Sequence, residues 1–208
     1  MLQYATLTPR SAAERFLKKE VRIPMKRLAS LLLAVLMAYS LAACGEGGLN
    51  LNPSGGKDSD EPSSKEGYIG DKMKTAWFDF TVDEAYSCSS YGEYTPASGN
   101  KLVVVAVTLK NTFGQSVDMW GDDFVILWDD PDEDSGIDIP LPAGISDDQF
   151  PDEYTLGINA TKQGVMIFEV PQDYRDFAVA FMEIFESDTN PDGEEGDTFF
   201  VSFTAEEK

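Results

Sequence analysis

The run KLVVVAVTLKN, residues 101–111, decides the fold class. It is β-branched and apolar at successive positions, so both faces of an extended chain would be apolar. A central strand of a sandwich has that pattern, whereas a strand with one wet face alternates. Working outward, AWFDFTV (76–82) alternates and puts Phe78, Phe80 and Val82 on one face. DFVILW (123–128) reads as a second buried strand. QGVMIFEV (163–170) ends at Pro171, which has no N–H to give a ladder. FAVAFMEIFE (177–186) admits a helix, but Val179, Phe181, Ile184 and Phe185 fit a buried strand as well. It is joined to TFFVSFT (198–204) by SDTNPDGEEGD, read as a long turn with Pro-Asp-Gly at its centre. IDIPL (137–141) and EYTLGI (153–158) add short strands. About seven strands at turn-punctuated spacing, with no convincing amphipathic helix, predict an all-β antiparallel sandwich over residues 72–206.

Charge narrows the partners. The 208 residues hold 16 Lys and Arg against 37 Asp and Glu. Seven of the basic residues and only two acids precede Cys44, which leaves nine basic and 35 acidic residues from Gly45 onward. Such a surface repels phosphate backbones, so nucleic acid is not an expected partner. It repels anionic headgroups too, so attachment to a membrane needs a separate device. Histidine is absent. That excludes Ser-His-Asp and Cys-His catalysis and removes the commonest ligand for zinc, copper and non-haem iron.

The device lies upstream. After Met25-Lys26-Arg27 an apolar run spans Leu28 to Tyr39 and leads into Ser40-Leu41-Ala42-Ala43-Cys44. A basic start, about a dozen apolar residues and a small-residue end form a secretory signal, too short to cross a bilayer comfortably. Leu41-Ala42-Ala43-Cys44 resembles the bacterial lipobox. The resemblance implies a diacylglycerol thioether on Cys44 and cleavage before it, which makes residues 25–43 a lipoprotein signal peptide. Two acyl chains on one residue meet the requirement for stable anchoring. Residues 1–24 are an unusual polar preface. We expect Met25 to be the true initiator, with Lys19-Glu20-Val21 encoding a ribosome-binding sequence; the nucleotide sequence decides this. Residues 44–71, rich in Gly, Ser, Pro and charge, read as the lipidated cysteine and a disordered tether of about 30 Å.

The order FDFTVDEAY (78–86), GNKLVVVAVTLKNT (99–112) and GVMIFEVP (164–171) resembles the telokin-like extracellular domain of Gram-positive lipoproteins. The matching features are Asn111 closing the long strand, and Gly164, Phe168, Val170 and Pro171 in the later one. The resemblance covers roughly residues 70–205. It implies an immunoglobulin-like sandwich on the outer face of the cell membrane, in a family with no agreed function and no catalytic residues to carry over. The acidic insertion 129–153 departs from that pattern.

Several stretches invite functional interpretation. In 129–138, Asp130, Asp132 and Asp134 alternate as calcium ligands do, but Ser135 stands where the EF-hand needs glycine and Leu141 where it needs the bidentate glutamate. In 188–197, Asp188, Asn190, Asp192 and Gly193 match the start of such a loop, and Phe199 occupies its final ligand position. Both read first as solvated acidic turns, with calcium as the alternative ligand and no cofactor expected. YSCSSYGEYTPASG (86–99) has the Tyr/Ser/Gly composition of recognition loops, though its tyrosines equally suit a domain rim. Cys88 lies in it with no basic neighbour in sequence to activate the thiol, and no partner cysteine if Cys44 is acylated. Trp77, Trp120 and Trp128 read as core or rim. Paired carboxylates are too numerous to single out any two. The expectation is therefore a membrane-anchored extracellular lipoprotein whose domain binds a protein or ligand at the cell surface without catalysis. A calcium-dependent structural or adhesion module comes second, and an envelope hydrolase using carboxylates third.

Overall fold

The computed structural model describes residues 62–129, 136–187 and 190–208. The run KLVVVAVTLKN lies in β4 (Asn100–Asn111), paired antiparallel on both sides. Its partners are β3 (Phe78–Cys88) and β9 (Thr161–Pro171). Along β4, Val103, Val105, Val107 and Leu109 face the main core. Leu102 and Val104 face the other way, into a second cluster with Ile167, Val165 and Cys88, under Tyr86, Tyr91, Tyr94 and Ile145. Both faces of the strand are therefore dry, as its composition demands, but the outer one is covered by loops.

The opposing sheet contains β6 (Phe124–Trp128), β7 (Gly136–Asp138), β10 (Asp176–Ser187) and β11 (Asn190–Thr204), in the order β11-β10-β6-β7. The chain crosses between sheets from β4 to β6 and again from β9 to β10. A β3-β4-β9 sheet packed on β11-β10-β6-β7 has the ABE and GFCC′ strand order of an immunoglobulin-like sandwich. Its centre is aromatic: Phe78, Phe80, Phe124, Phe181 and Phe199 stand with centroids 5.0–6.3 Å apart, mostly tilted or edge-on. Those geometries suit the ring quadrupoles and add to the burial itself. β5 (Val117–Trp120) and β8 (Glu153–Leu156) form a separate two-stranded ladder. Buried Asn111 ties it to β4, its amide donating to the carbonyls of Leu156 at 2.8 Å and Gln115 at 2.9 Å while its oxygen accepts the Phe113 N–H at 2.8 Å.

Three features correct the expectations. The tether does not run to residue 71: β1 (Ser64–Tyr68) pairs with β11, and β2 (Lys72–Lys74) pairs with β3. β1 carries almost no apolar signal because only Gly67 in it is buried; its ladder is backbone, reinforced by Ser63 donating to Asp197 through N–H and hydroxyl at 2.9 and 2.8 Å. Secondly, β1–β11 is a parallel pair, as is β12 (Glu206–Glu207) with β3, so the sandwich is antiparallel inside and parallel at two edges. Thirdly, 188–197 is not one long turn. β11 begins at Asn190, and the hairpin runs past the pairing of β6 and β1, with register shifts between Met182 and Ile184 and between Phe185 and Ser187. Acidic residues mask this arm, whose two strands pair only with each other there, although Glu183 and Ile184 near its base are buried and Trp77 packs on Phe185.

Candidate functional site

The register of β4 decides where loops gather. Asn100 lies opposite Pro171, and Cys88 opposite Leu102, so the β3–β4 loop and the β9–β10 turn emerge at the same end of the sheet. β12 runs beside β3 there, Glu207 opposite Ser87. These segments enclose a polar cleft of about 670 Å³. Its walls are the loop Thr95–Asn100, the turn Gln172–Arg175 and the C-terminal Ala205–Glu207. Lys101 and Arg175 both line it. Burial lowers the Lys101 pKa, and repulsion by Arg175 lowers it further against the opposing pull of Glu207 and Asp173. The ammonium also stands 5.8 Å above the Phe177 ring.

One carboxylate holds the loop wall in place. Glu169, on β9, accepts the Tyr94 hydroxyl at 2.6 Å, the Ala97 N–H at 2.9 Å and the Asn100 amide at 2.8 Å. Those donors, Tyr94 first, lower its pKa. The turn is closed by the Gln172 N–H donating to Gly99, where φ is +93° and a side chain would be strained. The Ala205 N–H donates to Arg175 at 2.8 Å and fixes the third wall. Such a cleft is built in advance of any occupant.

The tyrosines of 86–99 are not a free recognition surface. Tyr91 and Tyr94 exchange backbone hydrogen bonds of 3.0 Å in each direction, and the Tyr91 hydroxyl donates to Asp148 at 3.1 Å. Burial first, then the Asp148 charge, pushes the Tyr91 pKa up to about 12. Their rings roof the second apolar cluster. The parts of this loop facing the cleft are Ser87–Ser89 and Thr95–Gly99, which hold none of its tyrosines. Cys88 is buried, and burial raises its pKa, which keeps it a thiol.

A second, more apolar cleft of about 250 Å³ lies under half-buried Trp120, with Leu141, Phe150 and Met166 among its walls. Asp122 and Asp152 are at its edge. Asp152 is engaged by the Ala143 N–H at 2.7 Å. Beside the cleft walls, Asp123 caps the short 3-10 turn Gly121–Asp123, accepting the Trp120 N–H at 2.8 Å. It is fully enclosed, and burial pushes its pKa up to about 7 against that one bond. Burial, and next the Asp123 charge, raise the pKa of Tyr154. The perturbation of Asp123 thus follows from its place as a buried cap.

Leu41, Ala42, Ala43 and Cys44 lie outside the described residues, as do Asp130, Asp132, Asp134, Ser135 and Asp188; the side chains of Asn190 and Asp192 are likewise not described. Gly193, singled out for its EF-hand spacing, has φ +77° beside the irregular pairing of the hairpin arm, a conformation that favours glycine there. Phe199 is in the core and Leu141 lines the apolar cleft. Trp128 is buried, and Trp77 and Trp120 are half-buried. Among the described residues no three His, Cys, Asp or Glu side chains are grouped to hold a metal ion. Lys101, Arg175 and Glu169 were missed by sequence reasoning. Nothing local marks them, since they meet only through the β4–β9 register.

No family model matches this chain, and no curated protein does. Among solved structures, it is similar to the ycdA protein of Bacillus subtilis, provisionally described as a lipoprotein, at 12% identity and a TM-score of 0.46. That match covers 64% of this chain, which spans only 38% of the length of ycdA. An uncharacterized β-sandwich protein of Clostridium difficile is 14% identical with a TM-score of 0.44, over 72% of this chain and 100% of that one. The yjhA protein of Bacillus subtilis is 14% identical with a TM-score of 0.45, over 65% of this chain and 98% of that one. At these scores the fold assignment rests on this chain's own ladders.

Proposed function

We propose that the protein is a lipoprotein of the telokin-like extracellular type, anchored to the outer face of a bacterial cell membrane, whose sandwich binds a partner without catalysis. The observation that carries the proposal is the sequence Leu41-Ala42-Ala43-Cys44, placed after a basic start and the apolar run Leu28–Tyr39 and before a Gly/Ser/Pro-rich segment. Acylation there supplies the attachment that the acidic surface opposes. The sandwich adds a polar, pre-built cleft between loops, where immunoglobulin-like domains hold ligands by surface rather than by buried chemistry. Among the described residues, the raised pKa of the Asp123 carboxylate belongs to a turn cap, and a capping role needs no substrate. The test is fractionation of Gram-positive cells expressing the full chain. The protein should sediment with membranes, need detergent for release, and be degraded by protease added to intact cells. Recovery from the cytosol would contradict the proposal.

A further inference from the structure

The cleft between the β3–β4 loop and the β9–β10 turn holds two cations in a domain otherwise crowded with acids. Among the described residues, neither Lys101 nor Arg175 has a carboxylate within ion-pair distance, although Lys65, Lys72 and Lys208 each do. Beside this cavity Lys101 has lost part of its water and is repelled by Arg175, and the pull of Glu207 and Asp173 does not offset both. An anion between Lys101 and Arg175 would relieve both effects at once. We propose that this cleft binds the terminal carboxylate of a peptide, held by Lys101 and the guanidinium fork of Arg175.

Three observations select that ligand class. The planar guanidinium can pair a carboxylate through two parallel N–H bonds, while the ammonium adds a point charge. Asp173, Glu206 and Glu207 also line the cleft, so the site carries more negative than positive groups. Those carboxylates oppose any anion and oppose multiply charged ones most, so phosphates and polyanions, which the acidic domain repels at longer range as well, fit worse than a single carboxylate. Finally, about 670 Å³ is far more than one carboxylate fills. The remaining wall offers hydroxyls and amides from Ser87, Thr95, Ser98, Asn100 and Gln172, which suit the backbone of a short peptide. Glu169, which touches no ligand in this arrangement, acts as a positioning residue for the loop.

This inference rests on the reading of the domain as a binding module and gives it a ligand and a site. The test is amide-resolved NMR titration of the full chain in detergent micelles with N-acetyl-Ala-Ala, its C-terminal amide and inorganic phosphate. The free acid should give saturable shifts at Gly99, Asn100 and Arg175 below about 10 mM, and the amide and phosphate should bind at least about tenfold more weakly. Arg175→Gln, an exposed position, should weaken the acid about tenfold with the amide spectrum of the core unchanged, and Arg175→Lys should recover part of the loss. Equal binding of acid and amide, preference for phosphate, an unaltered Arg175→Gln titration, or no saturable shift would each overturn the proposal. Saturable shifts confined to another face would overturn the site and leave the binding module standing. Membrane attachment is decided separately, by fractionation.

Discussion

The Tyr94 hydroxyl donates a 2.6 Å hydrogen bond to Glu169, joining a loop to β9, 75 residues further along the chain. Glu169 also accepts from Ala97 and Asn100, so one carboxylate organises the wall of the polar cleft. Its pKa is depressed by these donors. The stability it contributes is therefore fully present above the unfolded value of about 4.3 and is lost as pH falls through the folded one. Glu169→Gln should lower the melting temperature at pH 7, and the difference from wild type should shrink in acid. Thermal melts at several pH values check this; a difference independent of pH would place the effect elsewhere.

Asp123 should behave in the opposite sense. Its folded pKa is about 7, raised by burial and, less, by Asp122, while its unfolded value is about 3.9. The folded state keeps a proton that the unfolded state releases, so this stabilisation is present below the unfolded pKa and lost as pH rises towards 7. Asparagine can still accept the Trp120 N–H. Asp123→Asn should therefore match wild type near pH 4 and melt several degrees higher at pH 8. A lower melting temperature at both would show that the charge is compensated.

Asn111 should be the most sensitive polar position in the sandwich. Its side chain is fully buried and makes three hydrogen bonds that join β4, the following loop and β8. Asn111→Ala leaves two carbonyls and one N–H without that partner, at about 1–3 kcal/mol for each buried group left unpaired. Chemical denaturation should show a loss well above that of an exposed change such as Lys74→Ala. Equal losses would contradict the packing described.

How much of this was legible depends on what a strand buries. β4, β6, β9 and β10 were readable because apolar residues line them, and the both-faced apolarity of 101–111 correctly marked a central strand. β1 and the outer half of β11 were not readable. Their ladders are made by backbone groups, which every sequence carries, and in β1 every residue but Gly67 is exposed. The cleft was hidden for a different reason: Lys101, Glu169 and Arg175 are brought together by register, and register leaves no local trace in composition.

Salt and calcium should separate. Nine basic against 35 acidic residues from Gly45 onward imply self-repulsion in the compact state, so sodium chloride should raise the melting temperature of the full chain. At fixed high salt, submillimolar calcium should add nothing further, and Asp192→Asn should be nearly silent. A saturable calcium increment lost in that variant would instead establish the calcium-dependent module as the better account.

The central claim, that Cys44 carries the lipid that places this domain at the membrane surface, is tested most directly by metabolic labelling with a clickable fatty acid in a Gram-positive host. Wild type should be labelled and membrane-bound. Cys44→Ala should carry no label, because the thioether needs the sulfur, and it should appear in the medium or remain unprocessed. Equal label on the Cys44→Ala protein would contradict the account.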